Sequence, residues 1–306
     1  MLPFFKRRAI INKNRRLFIT MMSVVMGFML LSLAGRNYLK MDRPLFLKYD
    51  RDEIYYKSEE AYREYRFKLE YITNDDTDTV VEQIEFPEHP DLQAVVSEVN
   101  YSDNLNQGSY DRIHSGSTYG TYNVRQVYVL LRDSSENRNE EERVLRQAKI
   151  YFSDRTESLS DLGELHLKTK NDIEESFLER TLEHYADGVG EVQYRVSKTI
   201  RLKDINRNRM ENYQDHLQVK LQEKPLEEFE GSVLKENEKI LFRTELKSGE
   251  DQSDTFVSVD FSPDITLIDE EGKESVRSLF SIRKERTSFN FRNLYRYVKN
   301  RGKTNE

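Results

Sequence analysis

RFKLEYITNDDTDTVVEQIEF, residues 66–86, decides the fold class. Phe67, Leu69 and Tyr71 alternate with Arg66, Lys68 and Glu70, and after NDDTD the residues Val80, Glu82, Ile84 and Phe86 alternate with Val81, Gln83 and Glu85. Successive side chains of an extended strand point to opposite faces, so a period of two predicts strand on both sides of the turn and a β-hairpin overall. Pro87 and Pro90 end the second strand, because proline has no N–H to give to a ladder.

Working toward the C-terminus, Leu92–Tyr101 is extended in character, and SDNLNQGSYDRIHSGSTYGTYN that follows reads as a long polar loop. Tyr110, Tyr119 and Tyr122, with Arg112 and His114, form a candidate recognition surface there, since Tyr offers contact area at low entropic cost. A decorated connection between strands explains the same residues. Strands resume at Val124–Leu131, Val144–Phe152 and Leu162–Leu167. In NDIEESFLERTLEHYADG the apolar residues Ile173, Phe177, Leu178, Leu182 and Tyr185 are spaced nearer 3.6 than 2, which predicts a helix with Asp172 as N-cap and Gly188 as stop. Val192–Ile200 is extended again. LKDINRNRMENYQD, residues 202–215, has low apolar content and no period, and is expected to link two domains. Beyond it strict alternation returns at Leu217–Leu221, Ile240–Leu246, Val257–Phe261 and Ile265–Leu267, with a turn at Asp269–Gly272 and a last strand over Val276–Ile282.

Working toward the N-terminus, LFITMMSVVMGFMLLSLAG, residues 17–35, carries no charge and is closed by Arg16 and Arg36. At about 1.5 Å per residue it is roughly 28 Å long, enough to cross the hydrocarbon layer of a bilayer. Lys6, Arg7, Arg8, Lys13, Arg15 and Arg16 precede it without an acidic residue, and the positive-inside rule keeps such a flank in the cytoplasm. The competing reading is a signal peptide cut after Ala34, with Ser32 and Ala34 as the small residues before Gly35. The tail SFNFRNLYRYVKNRGK places Phe291, Leu294, Tyr295 and Val298 on one helical face and Arg292, Arg296 and Lys299 beside it. That helix either adheres to an anionic surface or packs its apolar face on the second domain.

The expected organisation is a basic leader (1–16), a transmembrane helix (17–35), a juxtamembrane segment (36–60), a β-rich domain (61–201), a linker (202–215), a second β-rich domain (216–287) and a basic amphipathic tail (288–306). The fold class is mainly β: two β-sandwich-like domains of immunoglobulin-like outline with minor helix. Charge is segregated, with nine Lys/Arg against Asp42 alone in residues 1–43 and ten against three acids in residues 273–306. The middle carries −22 of a net −7. The chain has no cysteine, which excludes disulfides, thiolate metal sites and attachment through a lipidated Cys.

Chemistry has little to stand on. His89, His114, His166, His184 and His216 are scattered without metal-ligand spacing, and no nucleotide-binding, hydrolase or nucleic-acid motif occurs. Asn74, Asp76, Asp78 and Glu85 fall at positions 1, 3, 5 and 12 of a calcium-loop spacing, but Thr79 stands where that loop needs glycine. A turn accounts for them. The expectation is therefore a bacterial, single-pass, membrane-anchored extracytoplasmic protein that binds an envelope or membrane protein without cofactor, catalysis or nucleic acid. The alternatives are an envelope-polymer hydrolase or transferase, a structural spacer, and a protein secreted after signal cleavage.

Overall fold

The structure, a computed structural model, describes residues 3–55, 63–98, 116–133, 143–169, 177–247, 256–286 and 288–302. After helix α1 (Pro3–Leu39) come β1 (Leu45–Phe46), β2 (Tyr49–Tyr55), β3 (Arg63–Asn74), β4 (Val81–Glu85), β5 (Leu92–Ser97), β6 (Gly116–Tyr119), β7 (Tyr122–Asp133), β8 (Arg143–Phe152) and β9 (Glu157–Thr169). The second half holds β10 (Leu178–Ala186), β11 (Val189–Val196), β12 (Ile200–Ile205), β13 (Leu217–Leu221), β14 (Lys224–Pro225), β15 (Val233–Leu234), β16 (Lys239–Leu246), β17 (Ser258–Phe261), β18 (Asp264–Asp269), β19 (Glu274–Ser278) and β20 (Ile282–Lys284), and then helix α2 (Phe291–Gly302). The chain is mainly β, with one apolar N-terminal helix and a small C-terminal one.

Two sandwiches share a sheet. The first packs a sheet ordered β1-β3-β7-β5, with β6 also on β7, against the β2-β9-β8-β4 part of a six-stranded sheet. Tyr65, Phe67, Leu69, Tyr71, Val127, Val129 and Leu131 of the one face Leu145, Ile150, Leu162, Leu165 and Leu167 of the other. The second packs β10-β11-β16-β13-β14 against β15-β12-β18-β19 around Val196, Leu202, Phe242, Ile240 and Leu267. The six-stranded sheet runs on into this second core through β17 and β20, whose Phe261 and Ile282 are buried there. Its joint is β2, paired in parallel with β9 on one side and β17 on the other.

Several sequence expectations are corrected. The 66–86 hairpin does not form: β3 pairs along its length with β7, while β4 pairs with β8 in the facing sheet. The residues between them are held elsewhere, Asp75 N–H on Thr121 O and the buried Arg125 on the carbonyls of Thr77 and Thr79. A bulge between Val81 and Gln83 turns Val81, Ile84 and Phe86 inward together in place of the alternation from Val80. The helix expected over 171–188 is strand from Leu178 onward, and its start lies outside the described residues. Asp187 and Gly188 have φ of 52° and 80°, the pair of left-handed residues that a two-residue hairpin turn needs, and the β10–β11 ladder closes on them. The strand expected over Val276–Ile282 is broken where Leu279 and Phe280 turn into the core.

The segment expected to be juxtamembrane supplies the joint strand β2, and residues 202–215 hold the end of β12 and a short 3₁₀ turn, Met210–Tyr213. Gly163 lets β9 approach β2: its φ is 77°, and a Cβ there would stand 2.3 Å from Tyr49 O.

Candidate functional site: the outer face of the first sheet

One face of the β3–β7–β5 sheet points away from the core, and three kinds of surface succeed one another along it. Residues opposite in register share a face, so Asn74/Tyr122, Ile72/Val124, Glu70/Gln126, Lys68/Tyr128 and Arg66/Leu130 form successive rungs. Val95 of β5 continues the Leu130 rung.

The first rungs meet the end of α1. α1 holds a 23-residue span, Leu17–Leu39, long and apolar enough to cross a membrane and not buried by the rest of the chain. Its last turn is tied to the body: Arg36 pairs with Asp75 at 3.1 Å, Lys40 with Asp76 at 2.7 Å, and the Tyr122 hydroxyl donates to Leu39 O at 3.0 Å. Asn74 closes the tie, accepting from Met41 N–H and donating to Met41 O, both at 2.9 Å. Two of the residues with calcium-loop spacing are thus spent on the anchor, while Glu85 accepts from the Tyr151 hydroxyl on β4's outer side. Asp78 lies in the stretch between β3 and β4.

Helix α2 covers the next rungs. Leu294 and Tyr297 are buried against Ile72, Tyr122, Val124, Leu47 and Phe256, and Phe291 stacks on Tyr122 at 5.9 Å. The tail helix therefore packs chiefly on the first sandwich, with Phe256 as its contact from the second half, where the expectation from sequence places its apolar face on the second domain alone. Tyr119 joins this cluster against Phe289, and Tyr122 is 1% exposed, so neither ring forms an open recognition surface. Tyr110, Arg112 and His114 lie outside the described residues, as do the side chains of Lys6, Arg7, Arg8, Lys13 and Arg16, while Arg15 is exposed on α1.

In the middle, Arg286 reaches Glu70 and the carbonyls of Phe256 and Lys48, and lies 4.3 Å over the Tyr49 ring. Beyond it the face is open. A groove of about 730 Å³ is floored by Lys68, Tyr128, Leu130 and Val95 and flanked by Arg51, Glu53 and Asp260. Burial pushes the carboxyls of Glu53 and Asp260 above the usual range, against the pull of Arg51 on the first and Arg283 on the second. Each carboxyl already has its guanidinium, Arg51 for Glu53 and Arg283 at 3.0 Å for Asp260.

A second polar cluster sits on the opposite face of β2. Asp50 and Asp52 both receive Arg209; Tyr213 donates to Asp50 at 2.7 Å, and Lys168 and Ser262 N–H reach Asp52 at 3.2 and 3.0 Å. Burial works against the Arg209 charge, but Asp52 and Asp50 outweigh it and hold the guanidinium firmly protonated. Asp50, Glu164 and His166 bring ligand atoms within 4.8 Å of one another. A cation there would compete with Arg209 and Tyr213 for the same Asp50 oxygens, so the donor set suits a lock between the two sandwiches better than a metal. Of the remaining histidines, His89 bonds Val144 O at 3.1 Å, and His184 and His216 are exposed.

Sequence reasoning missed the groove and the lock because their residues come from distant segments, Arg209 and Asp50 being 159 positions apart. No protein-family model matches the chain, and no curated protein matches it. Among solved structures it is similar to the D00-D0 domain of Intimin (8% identity over 79% of this chain and 100% of that one, TM-score 0.24). It is also similar to the collagen binding domain of the Erysipelothrix rhusiopathiae surface protein RspB (10% identity, 80% and 94%, TM-score 0.18). A third likeness is to the sialic acid binding region of a Streptococcus Sanguinis SK1 adhesin (11% identity, 78% and 77%, TM-score 0.17). At these scores the likeness carries no argument about what the chain binds.

Proposed function

We propose that this chain is a single-pass, N-in membrane protein of a bacterial envelope that binds a protein partner without catalysis, through the open groove on the outer face of its first sheet. The observation that carries the reading is the division of that face. Its anchor end is tied to α1 and sealed by α2, while Val95, Tyr128 and Leu130 at the other end stay uncovered. With about 3.3 Å of rise per strand residue, the Lys68 rung stands about 20 Å along β3 from Asn74. An exposed Val95 on an edge strand, beside an aromatic ring and rimmed by paired charges, suits a protein surface. Glu53 and Asp260, both engaged by arginines, are poorly placed to act as the free acid and base of a hydrolase.

The test is site-specific photocrosslinking in native membranes. A photoreactive residue at Val95 or at the half-buried Tyr128 captures one discrete partner, and the same residue at Leu159, about as exposed as Val95, does not. Equal capture from all three positions, or none from the groove, refutes the assignment.

A further inference from the structure

The cations of α2 have a defined neighbour. Arg292, Arg296 and Lys299, at i, i+4 and i+7, share a helical face, and Arg292 and Lys299 are exposed. Lys299 Nζ lies 3.3 Å from the Tyr295 hydroxyl and interacts with Tyr38, whose side chain is 72% exposed in the last turn of the apolar span. That contact turns the basic face of α2 toward the end of α1. Between the two helices runs a groove of about 820 Å³, lined among others by Tyr38, Lys40, Arg43, Tyr295, Lys299 and Arg301.

Its charges do not cancel. Asp76 is matched by Lys40 and Arg36, and Asp161 by Lys48 and Arg301. Within the groove Asp42 is left against Arg43 and Lys299, and Arg292 and Arg296 stand beside it on the helical face of Lys299; among the described residues Arg43, Arg292 and Arg296 have no acidic partner. A helix that crosses a bilayer ends where lipid headgroups lie, and the tie between α1 and the body holds this groove at that level.

We propose that the groove between the end of α1 and the basic face of α2 is a headgroup site for anionic phospholipid in the leaflet beneath the body. Lipid phosphates meet Arg43 and Lys299 in the groove and Arg292 and Arg296 beside it, and the exposed Tyr38 supplies the amphipathic ring contact favoured at the interface. The proposal rests on α1 crossing the membrane, and not on what the distal groove binds.

The chain has no tryptophan, so Phe291→Trp installs a single fluorophore beside the site. The full chain, reconstituted in phosphatidylcholine vesicles, receives a small fraction of either phosphatidylglycerol or phosphatidylcholine bearing pyrene on an acyl chain. Energy transfer from the tryptophan then reports which lipid gathers there. One cation near a charged surface corresponds to about fivefold in binding, so phosphatidylglycerol is expected to associate at least about fivefold more strongly. The preference should collapse toward one in R292Q/R296Q/K299Q and at about 1 M salt, where screening is nearly complete. R292K/R296K keeps the charge and should keep the preference. The proposal is overturned if the two lipids associate equally, if the glutamine variant retains the preference while circular dichroism shows it folded, or if the lysine variant loses it.

Discussion

Arg209→Met tests whether the two sandwiches are locked through the buried charges on β2. The substitution keeps an unbranched apolar stem and removes the guanidinium that bonds Asp50 and Asp52, whose side chains are 9% and 5% exposed. Breaking a buried ion pair from one side costs about 3–5 kcal/mol, because the abandoned charge stays out of water. Here Lys168 at 3.2 Å still serves Asp52, and Tyr213 at 2.7 Å still serves Asp50, so the low end applies. The contact of Arg209 with the Phe261 ring, at 4.3 Å, adds under about 1 kcal/mol. The expected loss is about 3 kcal/mol. In urea unfolding of the full chain in detergent, followed by circular dichroism, a slope of about 3 kcal/mol/M turns this into a midpoint lowered by about 1 M.

A further arm separates charge from packing. Adding Asp50→Asn and Asp52→Asn to Arg209→Met removes the stranded charges and recovers half or more of the loss. A loss below about 1 kcal/mol, or a triple variant no better than the single one, refutes the lock.

Leu294→Ala empties a fully buried site beneath α2 and is expected to cost about 2–4 kcal/mol in unfolding free energy, with faster proteolysis of the tail as the sensitive readout. Gly163→Ala forces a Cβ onto Tyr49 O at a φ of 77°, where backbone strain alone costs about 1–3 kcal/mol and the clash adds to it, read as a lowered thermal midpoint. Burial pushes the Asp161 carboxyl up, but Lys48, the Gly163 N–H and Arg301 outweigh it and hold it below the usual range. Its contribution is therefore full above about pH 4 and lost as pH falls through the lowered value, and since the side chain is 48% exposed, Asp161→Asn should cost under about 1 kcal/mol at neutral pH and progressively less in acid. The intact mass of the chain recovered from membranes should include residues 2–34, because the proposed lipid site needs the span; a product beginning at Gly35 removes the anchor.

The parts legible in the sequence are those whose periodicity reports burial on one face. β13, β16, β17 and β18 alternate strictly, and each lies where alternation placed it, with Val219, Phe242, Val259 and Ile265 inward. β10 was illegible because both of its faces are largely exposed: its apolar residues follow no core, and a chance spacing near 3.6 resembled a helix. The decisive signal was the Asp187-Gly188 pair, which serves a hairpin turn as well as it serves a helix end. β2 was illegible for the opposite reason. Its Asp50 and Asp52 look like surface residues, and their burial is tolerable only because Arg209, Lys168 and Tyr213 arrive from remote segments. For the surfaces, the cationic face of α2 could be read from spacing, but not what it faces, which depends on the apolar residues of α2 packing on Ile72 and Val124 of the first sandwich as well as on Phe256.

That choice has a mechanical consequence. α1 is tied to the β3–β7 end by Arg36, Lys40, Asn74 and Tyr122, and α2 clamps the same end from outside. From there β2 carries the connection into both sandwiches, because it is hydrogen-bonded to β9 of the first and β17 of the second, and Arg209 ties its buried face to the second half. A linker between two such domains would let the distal one swing; a shared sheet strand with a buried ion cluster across it resists that motion, since bending there would break ladder bonds and expose paired charges together. The height of the open groove above the end of α1 is then fixed by strand length and not by tether length. On the proposed reading, with α1 across a bilayer, a partner reaching that groove meets it at a set distance from the membrane, and lengthening the loop between α1 and β1 should leave that distance unchanged as long as the Arg36–Asp75 and Tyr122–Leu39 contacts hold.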